Sequence, residues 1–364
     1  MVRMAPSWAG DTASAYDVRA SAPCRVDMGG TLDIGTFYYS LPHATPCTFN
    51  LALNMRTTVV LEPYRDGWIK VSSRGFENAA FPIDQAPFQH PLGLMLAVAV
   101  HFRAAGLHIR IDSASPPRSA LGGSSVAAVA LVGAIAWLRA LAGGNDLNRD
   151  QIVRRAHRIE ETVAGVPCGM QDQLAAAFGG MNTWYWDVDD DGLAVQCEPV
   201  MRSITSEDFA THFLVAYCGV PHVSRDINGT WVRHFLSGQY RDQWIQVADC
   251  VRRFSQALKE ERWKAAAKLM NEETAIRRGM TPDVLDDIGV KLVDAAAAHE
   301  CGGRFTGAGG GGCLWAVGEA DAIQTLRENW RGILDRRSEA QLLAVGPDSD
   351  GLVITNRPRT GDYS

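Results

Sequence analysis

The sequence has no C-x-x-C pair, no Lys/Arg-rich run and no bilayer-length apolar stretch, and no signal peptide is expected ahead of its cysteines. Each absence excludes a class. The cysteines, at 24, 47, 168, 197, 218, 250, 301 and 313, read as reduced cytosolic thiols, and a cytoplasmic location is expected. With 35 Lys plus Arg against 41 Asp plus Glu, the net charge of −6 leaves no basic footprint for nucleic acid. The longest nearly apolar run, Val126 to Leu138, is 13 residues and contains Gly133. A span needs about 20 such residues, so no membrane partner is expected. Gly-Lys-Ser/Thr is also missing, which removes a Walker loop, and no solenoid-type repeat occurs.

Glycine is present in slight excess, 35 residues, and it is clustered: Gly29, Gly30 and Gly35; Gly122 and Gly123; Gly302, Gly303, Gly307 and Gly309 to Gly312. A length of 364 residues is enough for two linked cores without staples. Residues 1–20 are polar and aperiodic and are expected to be a loose terminus. Strands are expected at Cys24–Met28, at Thr57–Pro63, and at Trp68–Ser73, which alternates with period two and follows Gly67. The last two should form a hairpin. Leu107, Ile109 and Ile111 alternate on one face of a further strand. A buried helix is expected over Val126–Leu141, and a second opens at Asn148 with Gln151 at the capping-box position. A short helix over Met170–Phe178 ends at Gly179-Gly180. The acidic segment Asp187–Asp191 with Gly192 marks a hairpin turn or linker, placing the domain boundary near 190–205. Beyond it come helices around 238–278 and 283–299, and strands at Phe213–Tyr217, Phe305-Thr306 and Leu314–Val317. The class is α+β.

Three segments carry chemistry. Pro117 to Ser125 lies between a strand and a buried helix, where glycines let a ligand reach unpaired N–H groups of positive partial charge. Such a site suits phosphate, and Ser124 and Ser125 can donate to it or ligate magnesium; a plain Ser-capped loop is the alternative. The run Gly303 to Cys313 contains GxGxxG, yet the residues after it read as a strand, so the dinucleotide reading loses. Successive glycines there require close approach of a ligand or of another backbone segment. In Glu160 to Gln173, helical spacing puts Glu160 on the flank of the stripe Ile152, Ala156, Ile159 and Val163, facing an interior cleft, and Glu161 nearly opposite, in solvent. Asp172 follows a Pro-Cys-Gly turn; by itself it would be a helix-start residue.

Taken together these segments resemble the GHMP kinase superfamily over about 290 residues, Ser21 to Val317. Ala22-Pro-Cys-Arg-Val-Asp-Met-Gly-Gly-Thr-Leu-Asp33 is similar to its first motif, Pro117 to Ser125 to its Pro-x-x-x-Gly-Leu-Gly-Ser-Ser phosphate loop, and Thr306 to Cys313 to its third. Gly165-Val-Pro-Cys-Gly-Met-Gln-Asp-Gln173 looks like a cross between the corresponding segments of galactokinases and heptose kinases, which favours the sugar branch. Ala120 stands where the family usually has glycine, Val126 where it has alanine, and the Glu-His pair of galactokinases is missing.

The resemblance implies a two-domain α+β fold: after the loose residues 1–20, an N-terminal ribosomal-protein-S5-like ATP-binding domain over 21–195 and a C-terminal ferredoxin-like domain over 196–364. It implies ATP, with its phosphates on Pro117, Ala120, Leu121, Gly122, Gly123, Ser124 and Ser125, and Mg2+ on Ser124 and Glu160. Asp172 matches the acid that takes the acceptor proton, and Arg25 the cation beside it. Asp33, with Asp27 as its alternative, matches a carboxylate that holds sugar hydroxyls; Gly169, Gly309, His222 and Arg225 are further substrate candidates. The expected activity is transfer of the γ-phosphoryl group to a sugar, at the anomeric hydroxyl, by a monomer or homodimer. The rivals are a kinase of a mevalonate-like or homoserine-like alcohol, and a non-catalytic nucleotide or sugar sensor.

Overall fold

The computed structural model describes residues 8–189, 192–201, 205–220 and 227–359. The first half builds one sheet from β1 (Tyr16–Met28), β2 (Cys47–Pro63), β3 (Trp68–Ser73), β4 (Ala79–Pro82), β5 (Leu107–Ser113), β6 (Met181–Asp189) and β7 (Gly192–Met201). A smaller antiparallel sheet holds β8 (Phe213–Tyr217), β9 (Gly302–Phe305), β10 (Cys313–Val317) and β11 (Gln341–Leu342), in the order β11-β8-β10-β9. The last strand, β12 (Val353–Pro358), then returns to the first sheet and pairs antiparallel with β1. The C-terminal segment is therefore split between the two sheets, and the single cut expected between 195 and 196 is not where the pairing divides: β7 and β12 both belong to the first sheet.

The N-terminal helices are α1 (Trp8–Ala15), α2 (Gly35–Tyr38), α3 (Gly93–Phe102), α4 (Gly123–Leu141), α5 (Arg149–Ala164) and α6 (Gln171–Phe178). The C-terminal ones are α7 (Ser206–His212), α8 (Ile227–Leu236), α9 (Arg241–Lys259), α10 (Trp263–Met280), α11 (Asp287–Ala298) and α12 (Ala320–Leu334). Residues 8–20 are not a loose terminus. Ala9 and Ala13 of α1 are fully buried, and β1 is already paired at Tyr16 with Pro358. The expected hairpin between β2 and β3 is also replaced: β5 lies between them, antiparallel to β2 and parallel to β3. Its apolar face, Leu107, Ile109 and Ile111, is buried as the alternation requires. The helix expected around 238–278 is two helices, because Glu261 adopts a left-handed conformation (φ 53°) between α9 and α10.

Helix α4 is long and apolar enough by composition to cross a membrane, but it is the core helix of the first half, with Val126 to Ala136 all buried against β1, β2 and α3. Helix α5 is capped as read: the Asn148 side chain accepts from Gln151 N, and Gln151 answers to Asn148 N.

Candidate active site

Four elements converge. Strand β1 has a bulge between Pro23 and Cys24, after which every residue to Met28 is buried. Period two then puts Arg25 and Asp27 on one face and Cys24, Val26 and Met28 on the other. The polar face meets the loop before α4, the start of α6 and the glycine loop between β9 and β10.

Helix α4 begins without a side-chain cap: Gly122 is its N-cap in a left-handed conformation (φ 81°). Its first N–H groups are therefore left for an anion. Leu121 anchors this loop in the core, and the carbonyl of Ser119 accepts Cys313 N at 2.8 Å, while Pro117 is exposed at the loop's outer edge. Ala120 takes φ 61°, the conformation that a family glycine would take without strain. The third glycine cluster explains itself here, since a Cβ at Gly312 would lie 2.7 Å from Ser119 O. Close approach of another backbone segment is what Gly312 serves in the structure. Gly309 likewise faces Val284 O, 2.4 Å from its would-be Cβ, and is buried against Phe305 rather than turned to the cleft.

Arg25 is the hub. Its Nε and Nη2 donate to Asp172 Oδ1 at 2.8 and 2.7 Å, and its Nη1 donates to Ala120 O at 2.8 Å. Both bonds to Asp172 fall on one oxygen. The other, Oδ2, lies at the Gly122 turn, 3.2 Å from where a Cβ there would be. Asp172 thus sits in the first turn of α6, one oxygen clamped and the other turned to the phosphate loop. Burial pushes the Asp172 pKa up, and the pull of Arg25 does not cancel that. A raised pKa makes it a stronger base.

Glu160, on α5, is partly buried and Glu161 is exposed, as the helical spacing required. Gln173 Nε2 donates to Glu160 at 2.7 Å, and the hydroxyls of Ser125 and Ser124 also bond to it. Burial pushes the Glu160 carboxyl up to about 7, and the nearby charge of Asp172 adds to the rise. A hard-oxygen set short of positive charge fits magnesium, which takes one or two protein oxygens and completes its shell with phosphate and water. Among the described residues no three His, Cys, Asp or Glu side chains gather as a closed metal site would need.

The acceptor-side assignments divide. Asp33 is only 5% exposed; its Oδ1 accepts Thr31 N and its Oδ2 accepts Gln171 N, both at 2.9 Å. It thereby caps α6 from the far end of the first motif. Gly169 makes room for it, since a Cβ there would fall 1.8 Å from Asp33 Oδ2. Asp27 is fully buried and committed to Arg25, Arg304 and Gly307 N, so it is sealed from any acceptor. His222 and Arg225 lie outside the described residues. Sequence reasoning gave no role to Gln173, although its place next to Asp172 was a signal. It gave none to Arg304 and Glu273 either, which nothing local to them announces.

Residues 91–180, from just before α3 to the end of α6, match the model of the GHMP kinases N terminal domain. A mevalonate kinase of Thermococcus sibiricus is 27% identical over 328 residues, covering 82% of this chain and 89% of that protein. A galactokinase of Mycobacterium tuberculosis is 26% identical over 359 residues, covering 86% and 92%. Among solved structures, a D-glycero-D-manno-heptose 1-phosphate kinase from Bacteroides thetaiotaomicron aligns with a TM-score of 0.68 at 18% identity, covering 93% of this chain and 98% of that one. The last is a likeness of fold. Residues 91–180 thus match a GHMP kinase N-terminal domain, and the chain shares the α+β fold of that solved kinase.

Proposed function

We propose that the chain is an ATP-dependent kinase that phosphorylates a sugar, at its anomeric hydroxyl. The observation that carries the sugar reading is the charge of the acceptor side. Asp33 and Asp172 meet at the start of α6, where Asp33 accepts Gln171 N, and Glu160 joins them through Gln173; all three act electrostatically on the nearby Cys168. Arg25, the cation beside them, is already shared between Asp172 and Asp27. A carboxylate-bearing alcohol would be repelled there, whereas a neutral polyol finds hydrogen-bond acceptors. The relative named mevalonate kinase supports the rival acceptor class; the carboxylates lining the cleft weigh against it.

In this reading the γ-phosphoryl group rests on the N–H groups that open α4 and on the Ser124 and Ser125 hydroxyls. Asp172 Oδ2 takes the proton of the acceptor hydroxyl, whose oxygen attacks in line. Arg25 holds Oδ1, fixing the carboxylate's rotamer, and places positive charge next to the transferring group. Asp33 holds α6 and, with lone pairs left on its oxygens, accepts one acceptor hydroxyl. Magnesium, held by Glu160 and Ser124, would neutralise phosphate charge as it develops on the leaving group.

The test is a magnesium-ATP assay over free hexoses, 6-deoxyhexoses, heptose 7-phosphates and mevalonate, with the product position read by phosphorus NMR. The expected product is a sugar 1-phosphate. Preferential turnover of mevalonate would replace the sugar reading. Asp172→Asn should lower kcat by about 100-fold or more while nucleotide affinity stays near wild type, and an active variant would remove Asp172 from the base role.

A further inference from the structure

We propose that Glu273 and Arg304, from the second half of the chain, are positioning residues for phosphoryl transfer: they hold Asp27 and through it set how Arg25 is shared with Asp172. The inference deepens the kinase reading and rests on Asp172 being its base. It comes from an alternating line of six charges. On α10, Arg277 Nε donates to Glu273 Oε1 at 2.9 Å. Arg304, on β9, grips Glu273 with two bonds, Nε to Oε2 at 2.8 Å and Nη2 to Oε1 at 3.2 Å. Its Nη1 reaches Asp27 Oδ2 at 3.3 Å and the Asp27 carbonyl at 2.9 Å. Asp27 Oδ1 stands 3.4 Å from Arg25 Nη1, and Arg25 closes the line on Asp172.

Exposure runs in one direction along it. The side chains of Arg277, Glu273, Arg304 and Asp27 are at 0%, Arg25 at 4% and Asp172 at 21%. The line opens to the cleft only at the proposed base. Asp27 is its pivot, because Oδ1 also accepts Gly307 N at 2.7 Å and its carbonyl accepts Trp315 Nε1 at 3.1 Å. Arg277 secures the deep end: its guanidinium lies 4.4 Å from the Trp244 ring centre and 4.7 Å from that of Trp231, and Nη2 donates to Gly30 O. Burial pushes Glu273 toward protonation, but Arg304 and Arg277 outweigh it and hold its pKa below the usual range, so Glu273 stays ionised between them.

Stability does not explain such an arrangement. Desolvating each ion costs several kcal/mol, and a buried Arg–Glu–Arg triad can be replaced by apolar side chains without loss of stability. The consequence for chemistry is direct. Asp27 has two guanidinium partners; without Arg304 its whole charge falls on Arg25, drawing Nη1 inward and loosening the clamp on Asp172.

The decisive variant is the triple Glu273→Leu/Arg277→Met/Arg304→Met, which removes the triad without leaving one of its charges unpaired. Glu273→Gln and Arg304→Lys accompany it as gentler changes. We expect the triple variant to fold and to bind ATP as wild type does. Its kcat should fall on the order of 10- to 100-fold, the size of a misplacement of about 1 Å, with acceptor KM changed far less, and Arg304→Lys should recover part of the loss. The Arg25 Nε–H NMR resonance, assigned through Arg25→Lys, should shift in the triple variant with no acceptor present. A folded triple variant with wild-type kcat and an unmoved Arg25 resonance overturns the proposal. Failure of all three variants to fold also overturns it, by assigning the line to stability alone. Wild-type inactivity on every acceptor would instead sink the kinase reading, and the Arg25 resonance would still report the coupling.

Discussion

Ala120 occupies a left-handed conformation at φ 61° in the turn that leads to α4, and its carbonyl receives Arg25. For a residue with a Cβ that conformation costs about 1–2 kcal/mol. Glycine removes the strain but returns about 0.4–1 kcal/mol through its freer unfolded chain. The strain term is the larger, so Ala120→Gly should stabilise the protein by about 0.5–1 kcal/mol, seen as a higher denaturant midpoint at unchanged slope. Turnover should hold, since Arg25 bonds to the carbonyl and not to the methyl. A lower midpoint would mean that the methyl's packing near Gly312 and Gly307 outweighs the strain. What was legible at this scale was local. Arg25, Asp172, Glu160, Ser124 and the 120–125 loop were marked by short motifs, and the fold brings them together. Asp27 was misread as able to face an acceptor because alternation along a strand gives its face but not its depth. Arg304 and Glu273 are 31 residues apart, and Asp27, which Arg304 holds, is 277 residues from it. No spacing rule reaches that far.

The elements that were legible are those whose signals are complete within a dozen residues: the capping box that opens α5, the alternation of β5, and the apolar run of α4. Pairing between strands was less legible, because the parallel contact of β3 with β5 and the return of β12 to β1 come through the packing of the whole sheet and not through adjacent turns. The face of α5 is the case where periodicity carries function. One residue step turns the helix by about 100°, enough to put Glu160 against Gln173 and the serines and Glu161 in solvent. Glu160→Gln should therefore raise the magnesium concentration needed for half-maximal rate by roughly tenfold or more, as removal of a metal ligand does, and Glu161→Gln should leave it unchanged. The check is a magnesium titration of initial rates at saturating ATP. Equal effects from the two variants would dissociate α5's buried flank from the metal.

At the scale of the molecule, the N-terminal half supplies the groups proposed to do chemistry and the C-terminal half adds Glu273, Arg277 and Arg304 beneath them, while β12 ties the end of the chain back to β1. The arrangement gathers carboxylates that folding holds away from water, and this has a pH signature. Burial raises Asp33 to about 6 and Glu160 to about 7, from ordinary values of 3.8 and 4.5, and moves Asp172 in the same direction. A carboxyl whose pKa is higher folded than unfolded binds its proton more tightly in the native state. Its contribution to stability is then full below the unfolded value and is lost as pH rises through the folded one. For Glu160 the window runs from about 4.5 to about 7. Glutamine at that position keeps the shape and cannot ionise, so it removes the loss. In metal-free buffer, Glu160→Gln should therefore gain in Tm over wild type as the pH is raised from 5 to 8, with the difference opening mainly between 5 and 7. Glu161→Gln, on the solvent side of the same helix, should follow wild type throughout. Magnesium-nucleotide should close the gap at the upper end, because the cation stabilises the ionised Glu160 that the variant lacks. A Tm difference that stays constant across this range would show that Glu160 titrates as it does in the unfolded chain, and that the cleft holds its charge at no cost to the fold.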